Sequence, residues 1–187
     1  PLHNDRRFDP EHSEHIDNER VRQNIYWDCY QGYTTMEDRG KEDNFSFSQI
    51  EMAYYSEHYS DYVINQNKRH EKARHPDRCK GVEEILKNKK TCPEESIYQL
   101  GTIDEHASVE TLIRVFDEFK KEFDERFGSN VHIIDWSLHM DESTPHIHER
   151  HVFDATNRYG EIEPKQEAAL EELGFELPNP EKKRSKT

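Results

Sequence analysis

The sequence predicts an α+β fold in which an antiparallel β-sheet of about five strands is flanked by helices. Three observations lead there. Residues 131–153 read as two strand-like runs, rich in β-branched and aromatic residues, joined by the polar turn Asp141-Glu142-Ser143-Thr144-Pro145. Two other stretches carry apolar residues at helical spacing behind capping residues. Strand and helix signals do not alternate strictly, as they would in a parallel sheet, so an antiparallel sheet with helices set to its faces is favoured.

In chain order, Phe8-Asp9-Pro10 is a turn signal, and residues 11–22 are highly charged, with His12 and His15 among them. Asn24-Ile25-Tyr26-Trp27-Asp28-Cys29-Tyr30 has strand composition. Residues 32–44 read as an exposed turn and loop. Ser48 with Glu51 makes a capping box that opens a helix running to about Arg74, before Pro76. Ile50, Tyr54, His58 and Tyr62 recur at helical spacing and are assigned to the core; Tyr55 and Tyr59 fall on another face, where stacking on bases is a weak alternative. A short basic helix follows at 82–89, then a strand at 96–100. Ser108 caps the clearest helix, whose stripe of Leu112, Phe116, Phe119, Phe123 and Phe127 is core and which Gly128 stops. After the hairpin, residues 166–173 form a helix ended by Gly174. Pro178 and Pro180 lead into a basic tail at 181–187.

The totals set limits. One domain is expected of 187 residues, long enough to bury a core. With 32% apolar and 35% charged residues, that core is modest, and nine Tyr and nine Phe supply much of it. No apolar run approaches membrane-spanning length, so a soluble, cytoplasmic protein is expected. Cys29, Cys79 and Cys92 are widely spaced and read as reduced thiols. A net charge of −14 argues against nucleic acid as a whole-chain average. Local fields matter more, however, and residues 68–90 and the tail are two candidate phosphate-facing patches.

Chemistry concentrates in the hairpin. His146 and His148, two apart on a strand, point to the same face. His139 ends the preceding strand, where the hairpin can bring it beside them. Three neutral imidazoles with an acidic loop between them make a divalent-metal site with positions open for water or substrate. The bland alternative is chance clustering in a chain with twelve histidines. Convergence of ligands from separate elements favours the site. The spacing is not that of a helical zinc protease, since the histidine four residues on is missing.

His139-Met140-Asp141-Glu142-Ser143-Thr144-Pro145-His146-Ile147-His148 resembles the H-x-D-E-x-T-P-H-x-H motif of the Mob/Pre (MobV-class) plasmid mobilisation and plasmid recombination relaxases. His3-Asn4-Asp5-Arg6 resembles that family's H-N-x-R motif, and Ile16-Asp17, Arg20 and Asn24 a further conserved pattern of the family. The resemblance implies an HUH-like relaxase fold and a metal-dependent nick in one DNA strand at a transfer origin. It also implies rejoining through a covalent protein–DNA intermediate, for conjugative mobilisation of a plasmid or integrative element. His139, His146 and His148 are then the metal ligands, His3 the nucleophile, and Glu142 and Arg6 its catalytic neighbours, Arg6 being able to grip a phosphate. Asp141 is expected to support a ligand histidine. Mn²⁺ or Mg²⁺ is the implied cofactor, although imidazole ligands alone suit a softer ion such as zinc. The implied partner is single-stranded or hairpin DNA of a transfer origin, with other transfer-complex proteins possible. Tyr26, Tyr30 and Tyr33 stand as alternative nucleophiles. His151, off the metal face, is assigned a structural role, and His132 the solvated side of its strand. The catalytic domain is expected to span 1–178, with 179–187 a basic linker. Two rival readings remain: a metal-dependent nuclease or rolling-circle replication initiator, and a DNA-binding module with a structural metal.

Overall fold

A computed structural model describes residues 3–6, 16, 17, 19–39, 41 and 43–176. The turn expected at 8–10, the boundary at 178/179 and the basic tail lie outside them. The described elements are β1 (Ile25–Asp28), β2 (Gly32–Thr35), α1 (Met36–Arg39), α2 (Phe47–Lys72), α3 (Val82–Lys87), β3 (Glu94–Gln99), α4 (Val109–Phe127), β4 (Val131–His139), β5 (His146–Thr156), β6 (Ile162–Pro164) and α5 (Gln166–Glu172). The fold is α+β. Its antiparallel sheet has six strands, in the order β2-β1-β4-β5-β3, with β6 paired to the end of β5. The three-residue β6 is too short to leave an alternation signal in the sequence.

The two long helices serve different cores. Ile50, Tyr54, Tyr55, Tyr59 and Val63 of α2 pack with Ile134 and Val152 of the sheet. Leu112 and Phe116 of α4 pack with Trp136, Leu138 and Ile147. A β-bulge in β4 between Ile133 and Asp135 makes this division possible. The extra residue, Ile134, reverses the alternation. Ile133 therefore joins Trp136 and Leu138 against α4, while Ile134 turns to α2. Beyond the bulge, Asp135, Ser137 and His139 share the face of β4 that, across the ladder, meets Arg150, His148 and His146 of β5.

Several expectations are corrected. The cap of α2 is Ser46 with Gln49, two residues earlier than Ser48 with Glu51: Gln49 donates its N–H to Ser46 Oγ and returns its side-chain oxygen to the Ser46 N–H. Glu51 is instead buried and accepts Arg150 Nε at 2.5 Å. Tyr55 and Tyr59 are fully buried, their hydroxyls spent on Thr91 O and Asp154, and cannot stack on bases. His58, placed in the core by spacing, is exposed and stacks on Tyr54. The stretch 32–44 holds β2 and α1 rather than a plain loop. Arg39 at its centre is buried over the rings of Tyr26 and Phe47 and paired with Asp5. His132 is only partly solvated, its side chain 31% exposed and its Nε2 3.1 Å from Asp154 Oδ1. His151 takes the structural role assigned to it, buried on the α4 face with Nδ1 3.1 Å from Glu149 Oε1.

Candidate metal centre and active site

The hairpin's register sets the site. His139 and His146 are directly opposed across β4 and β5, and His148 opposes Ser137. All lie on one face of the sheet. Ring centroids are 5.4 Å apart for His139–His146, 4.9 Å for His139–His148 and 4.9 Å for His146–His148.

Each ring has one nitrogen committed to an oxygen. His146 Nδ1 lies 2.8 Å from Thr144 O, and His148 Nδ1 lies 2.8 Å from Glu95 Oε1. His139 Nε2 lies 3.1 Å from Asn4 O and 3.0 Å from Ser137 Oγ. A carbonyl or carboxylate can only accept, so these nitrogens carry the protons of neutral rings. The lone pairs are left on His146 Nε2, His148 Nε2 and His139 Nδ1. The first two face each other at 3.1 Å. The third is buried with no hydrogen-bond partner. Facing lone pairs repel, and a buried orphan acceptor is costly; a cation among them relieves both. The separation of 3.1 Å is what two adjacent ligands at about 2.1 Å from one ion would show. Metal-binding histidines also characteristically donate their far N–H to a carbonyl or carboxylate, as all three do here. The donor set fits a divalent metal.

Two further side chains reach the same point. His139, Glu142 and His146 offer ligand atoms within 4.8 Å of one another, and so do His3, His139 and His148. Glu142 is the hub: its Oε1 lies 2.6 Å from Arg6 Nη2, 3.4 Å from His3 Nε2 and 3.8 Å from His139 Nδ1, and its Oε2 lies 3.7 Å from His146 Nε2. The His3 ring centroid is 5.1 Å from that of His148 and 5.3 Å from that of His139, and its side chain is 52% exposed, so the site opens to solvent on that side.

The segment 3–6 is a tight turn pinned from every direction. Arg6 adopts φ +50°, a left-handed conformation that a side chain resists. Its contacts hold it there. Nε and Nη2 donate to both oxygens of Asp141 at 2.9 Å, and Nη1 donates to His3 O at 3.1 Å. Asp5 pairs with Arg39 and accepts the Phe47 N–H at the start of α2, where a carboxylate also meets the positive end of the helix. Asn4 accepts His139 Nε2 on its carbonyl and donates its side-chain amide to Glu95 at 3.3 Å. Arg6 is thus buried and internally committed rather than presented to a phosphate, and Asp141 binds Arg6 rather than a histidine. Both oxygens of Asp141 are consumed by one planar guanidinium, which also reaches Glu142. Breaking this pair, as in Arg6→Ala, is expected to cost about 3–5 kcal/mol, because Asp141 is left buried and unpaired. Thermal melting and proteolysis of the amino-terminal segment are the readouts; an unchanged protein would refute the assignment.

Electrostatics keep His139 and His3 neutral. Burial, then the Arg6 charge, pushes the His139 imidazole down to about 3. Burial followed by Arg6 also lowers His3, with Glu142 opposing. For Asp141, burial works upward, but the Arg6 hydrogen bonds and charge outweigh it and hold the carboxyl below its usual range. Unfolded His139 takes up a proton near pH 6.5 and the folded ring only near 3, so between these values the unfolded chain binds more protons. The stabilisation is complete above about 6.5 and is lost as pH falls towards 3. Metal-free protein should accordingly melt at progressively lower temperature from pH 6.5 to 4.5, and His139→Gln should flatten that slope.

The alternative nucleophiles fare differently. Tyr26 lies on the histidine face, opposite Ser137, but is fully buried, its hydroxyl donating to Met36 Sδ and pushed by burial up to about 12. Tyr30 follows β1 at the end away from His139 and donates to Glu57. Tyr33 packs edge-on against Trp136, on the α4 side of the sheet. The residues that sequence reasoning missed are Glu95, Ser137 and Thr144. Glu95 meets its ring only through the β3–β5 pairing, while Ser137 and Thr144 each touch a histidine two residues on and act through a hydroxyl and a backbone carbonyl that residue type does not single out.

Comparison with known proteins extends this picture. Residues 41–172 match the sequence profile of Mob_Pre, described as plasmid recombination enzyme. That span contains the histidine motif and lacks residues 3–6. Among solved structures, the chain is similar to a MobM relaxase domain (MOBV; Mob_Pre) bound to plasmid pMV158 oriT DNA of 22 nucleotides with a 3′ thiophosphate, Mn-bound at pH 6.8. The TM-score is 0.50 with 22% identity, covering 100% of this chain and 86% of that one. A second MobM relaxase structure, Mn-bound with the 22-nucleotide oriT DNA at pH 5.5, gives a TM-score of 0.46 and 23% identity over the same shares. No curated protein matches. The first likeness establishes a shared fold. No described helix is long and apolar enough to cross a membrane.

Proposed function

Since the chain belongs to the Mob_Pre family of plasmid recombination enzymes, we propose that it is a DNA relaxase, cutting and rejoining one strand at a transfer origin through a covalent intermediate on His3. The observation that carries this reading is the fixed turn at 3–6, which sets a neutral, solvent-facing imidazole against a cluster of three metal-suited histidines. His139 Nδ1, His146 Nε2 and His148 Nε2 would hold the ion; the MobM structures contain manganese, and manganese or magnesium is expected here. A divalent cation there supplies positive charge to the non-bridging oxygens of a bound phosphodiester.

The chain's own residues account for the rest. His3, lowered by burial and Arg6, is unprotonated at neutral pH and so nucleophilic. Nδ1, turning from the Arg6 Nη1 that lies 3.3 Å away, attacks phosphorus while the Nε2 proton points to Glu142, 3.4 Å away, which takes it as the ring becomes cationic. A P–N bond forms and the P–O3′ bond breaks. The 3′ oxygen leaves and takes a proton from solvent, and the 5′ phosphate stays on the protein. The reverse sequence reseals the strand. Arg6 positions both partners, binding the His3 carbonyl and the Glu142 carboxylate at once. Asn4 and Glu95 keep the turn and the ligand rings in register.

The test is incubation with Mn²⁺ and single strands carrying the element's own transfer origin, followed by mass-spectrometric mapping of any adduct. A 5′-linked adduct on His3 is expected. An adduct on tyrosine would overturn the nucleophile and keep the relaxase. Cutting without an adduct would favour a hydrolytic nuclease, and folded, metal-loaded protein that neither cuts nor links would favour a binding module.

A further inference from the structure

At the opposite end of the sheet, the β5–β6 turn packs beside the last turns of α2 and encloses a groove of about 660 Å³. His146 begins β5 and Thr156 ends it, so this groove lies roughly 33 Å along the strand from the histidines. Its wall is built of stacked cations and a ring. The Arg69 guanidinium sits 4.2 Å from the Tyr159 ring centroid and clamps Glu161 at 2.7 and 2.8 Å. Arg158 lies 4.8 Å from the same centroid and donates to the Tyr159 hydroxyl at 2.6 Å. Asn157 ties the turn by accepting the Tyr159 and Glu161 N–H groups and donating to the Glu161 carboxylate. The assembly is therefore preorganised, yet Tyr159 is 52% exposed.

Charge distinguishes the place from the rest of the molecule. Arg69, Arg158 and Lys165 line the groove, against Glu163 in the lining and the Glu161 that Arg69 binds, in a chain of net charge −14. An exposed ring with the Arg158 guanidinium beside it, at a groove of nucleotide size, is what a single strand uses, a phosphate on Arg158 and an unstacked base against the ring. A folded acidic protein would meet the charge but has no use for the ring.

We infer that this groove is a second single-stranded DNA contact, remote from the histidine centre, which holds the strand away from the point of cutting. The choice of DNA over other polyanions rests on the relaxase reading; the groove itself does not.

Fluorescence anisotropy tests it with the full chain and a labelled single strand of about 30 nucleotides, where about ten span the distance at stacked spacing. The double variant Arg158→Ala/Tyr159→Ala should bind about tenfold more weakly and lose about 0.7 from the slope of log affinity against log salt. Tyr159→Phe, which keeps the ring, should bind within about twofold of the parent. Both should melt as the parent does, and the double variant should still link covalently at saturating origin DNA. Parental affinity in the double variant would overturn the inference, as would displacement of the DNA by poly-glutamate at equal charge concentration. Loss of covalent linkage in the parent itself would instead indict the histidine centre and leave the groove standing.

Discussion

His148→Ala is expected to abolish both manganese binding and strand cutting, the latter by about 10³-fold or more, since charge stabilisation at the phosphate is removed outright. His148 contributes one of the two nitrogens that face each other at 3.1 Å, and its other nitrogen is held by Glu95. The same contact, more than any other, pulls the Glu95 carboxyl down to about 2. Removing the ring also removes the lone-pair conflict with His146. Against that gain Glu95 loses its main partner, so the decisive readout is the metal: the rise in melting temperature that manganese gives the parent should vanish. Calorimetric titration with Mn²⁺ and a nicking assay read the two effects separately. A variant that still binds and cuts would leave the three-histidine centre untenable. Glu95→Gln gives the graded counterpart: the ring keeps a partner but loses its charged anchor, and metal affinity should fall by about 10–100-fold.

His3→Ala is expected to separate chemistry from metal binding. Its side chain is half-exposed and packs against rings whose hydrogen bonds run elsewhere, so the fold and the manganese-induced stabilisation should persist. The covalent adduct should disappear and cutting should fall by about 10³-fold or more, the scale on which loss of a nucleophile is felt. Tyr26→Phe should keep the adduct, because that hydroxyl is sealed in the core and points to Met36. If linkage survives His3→Ala and is lost in Tyr26→Phe, the buried tyrosine must become accessible on DNA binding and the roles exchange.

Much of this was legible along the chain because it is local. The polar turn at 141–145 and the two flanking runs specify a hairpin, and alternation places His146 and His148 on one face. The stripe that begins at Leu112, with Ser108 before it, specifies α4. The three histidines sit within ten residues of one another, so strand geometry alone brings them together. The same reasoning failed on α2. Tyr54, Tyr55, His58 and Tyr59 offer apolar or aromatic surface on more than one side of the helix, and only the sheet packed beneath decides which side is buried.

What the sequence by itself determined is the α+β class, the histidine hairpin and the residues able to grip a metal. Only the tertiary structure decided how they are held. Arg6 meets Asp141 across 135 positions, Glu95 meets His148 across 53, and Asp5 finds Arg39 within a stretch that reads as loop. Such pairings have no period and no preferred spacing; they exist because the strands pair in one register and a bulge at Ile134 turns half of β4 to face them. The task of Arg6 changed for the same reason. A guanidinium free in sequence could serve a phosphate, whereas one buried against two carboxylates can only position its neighbours.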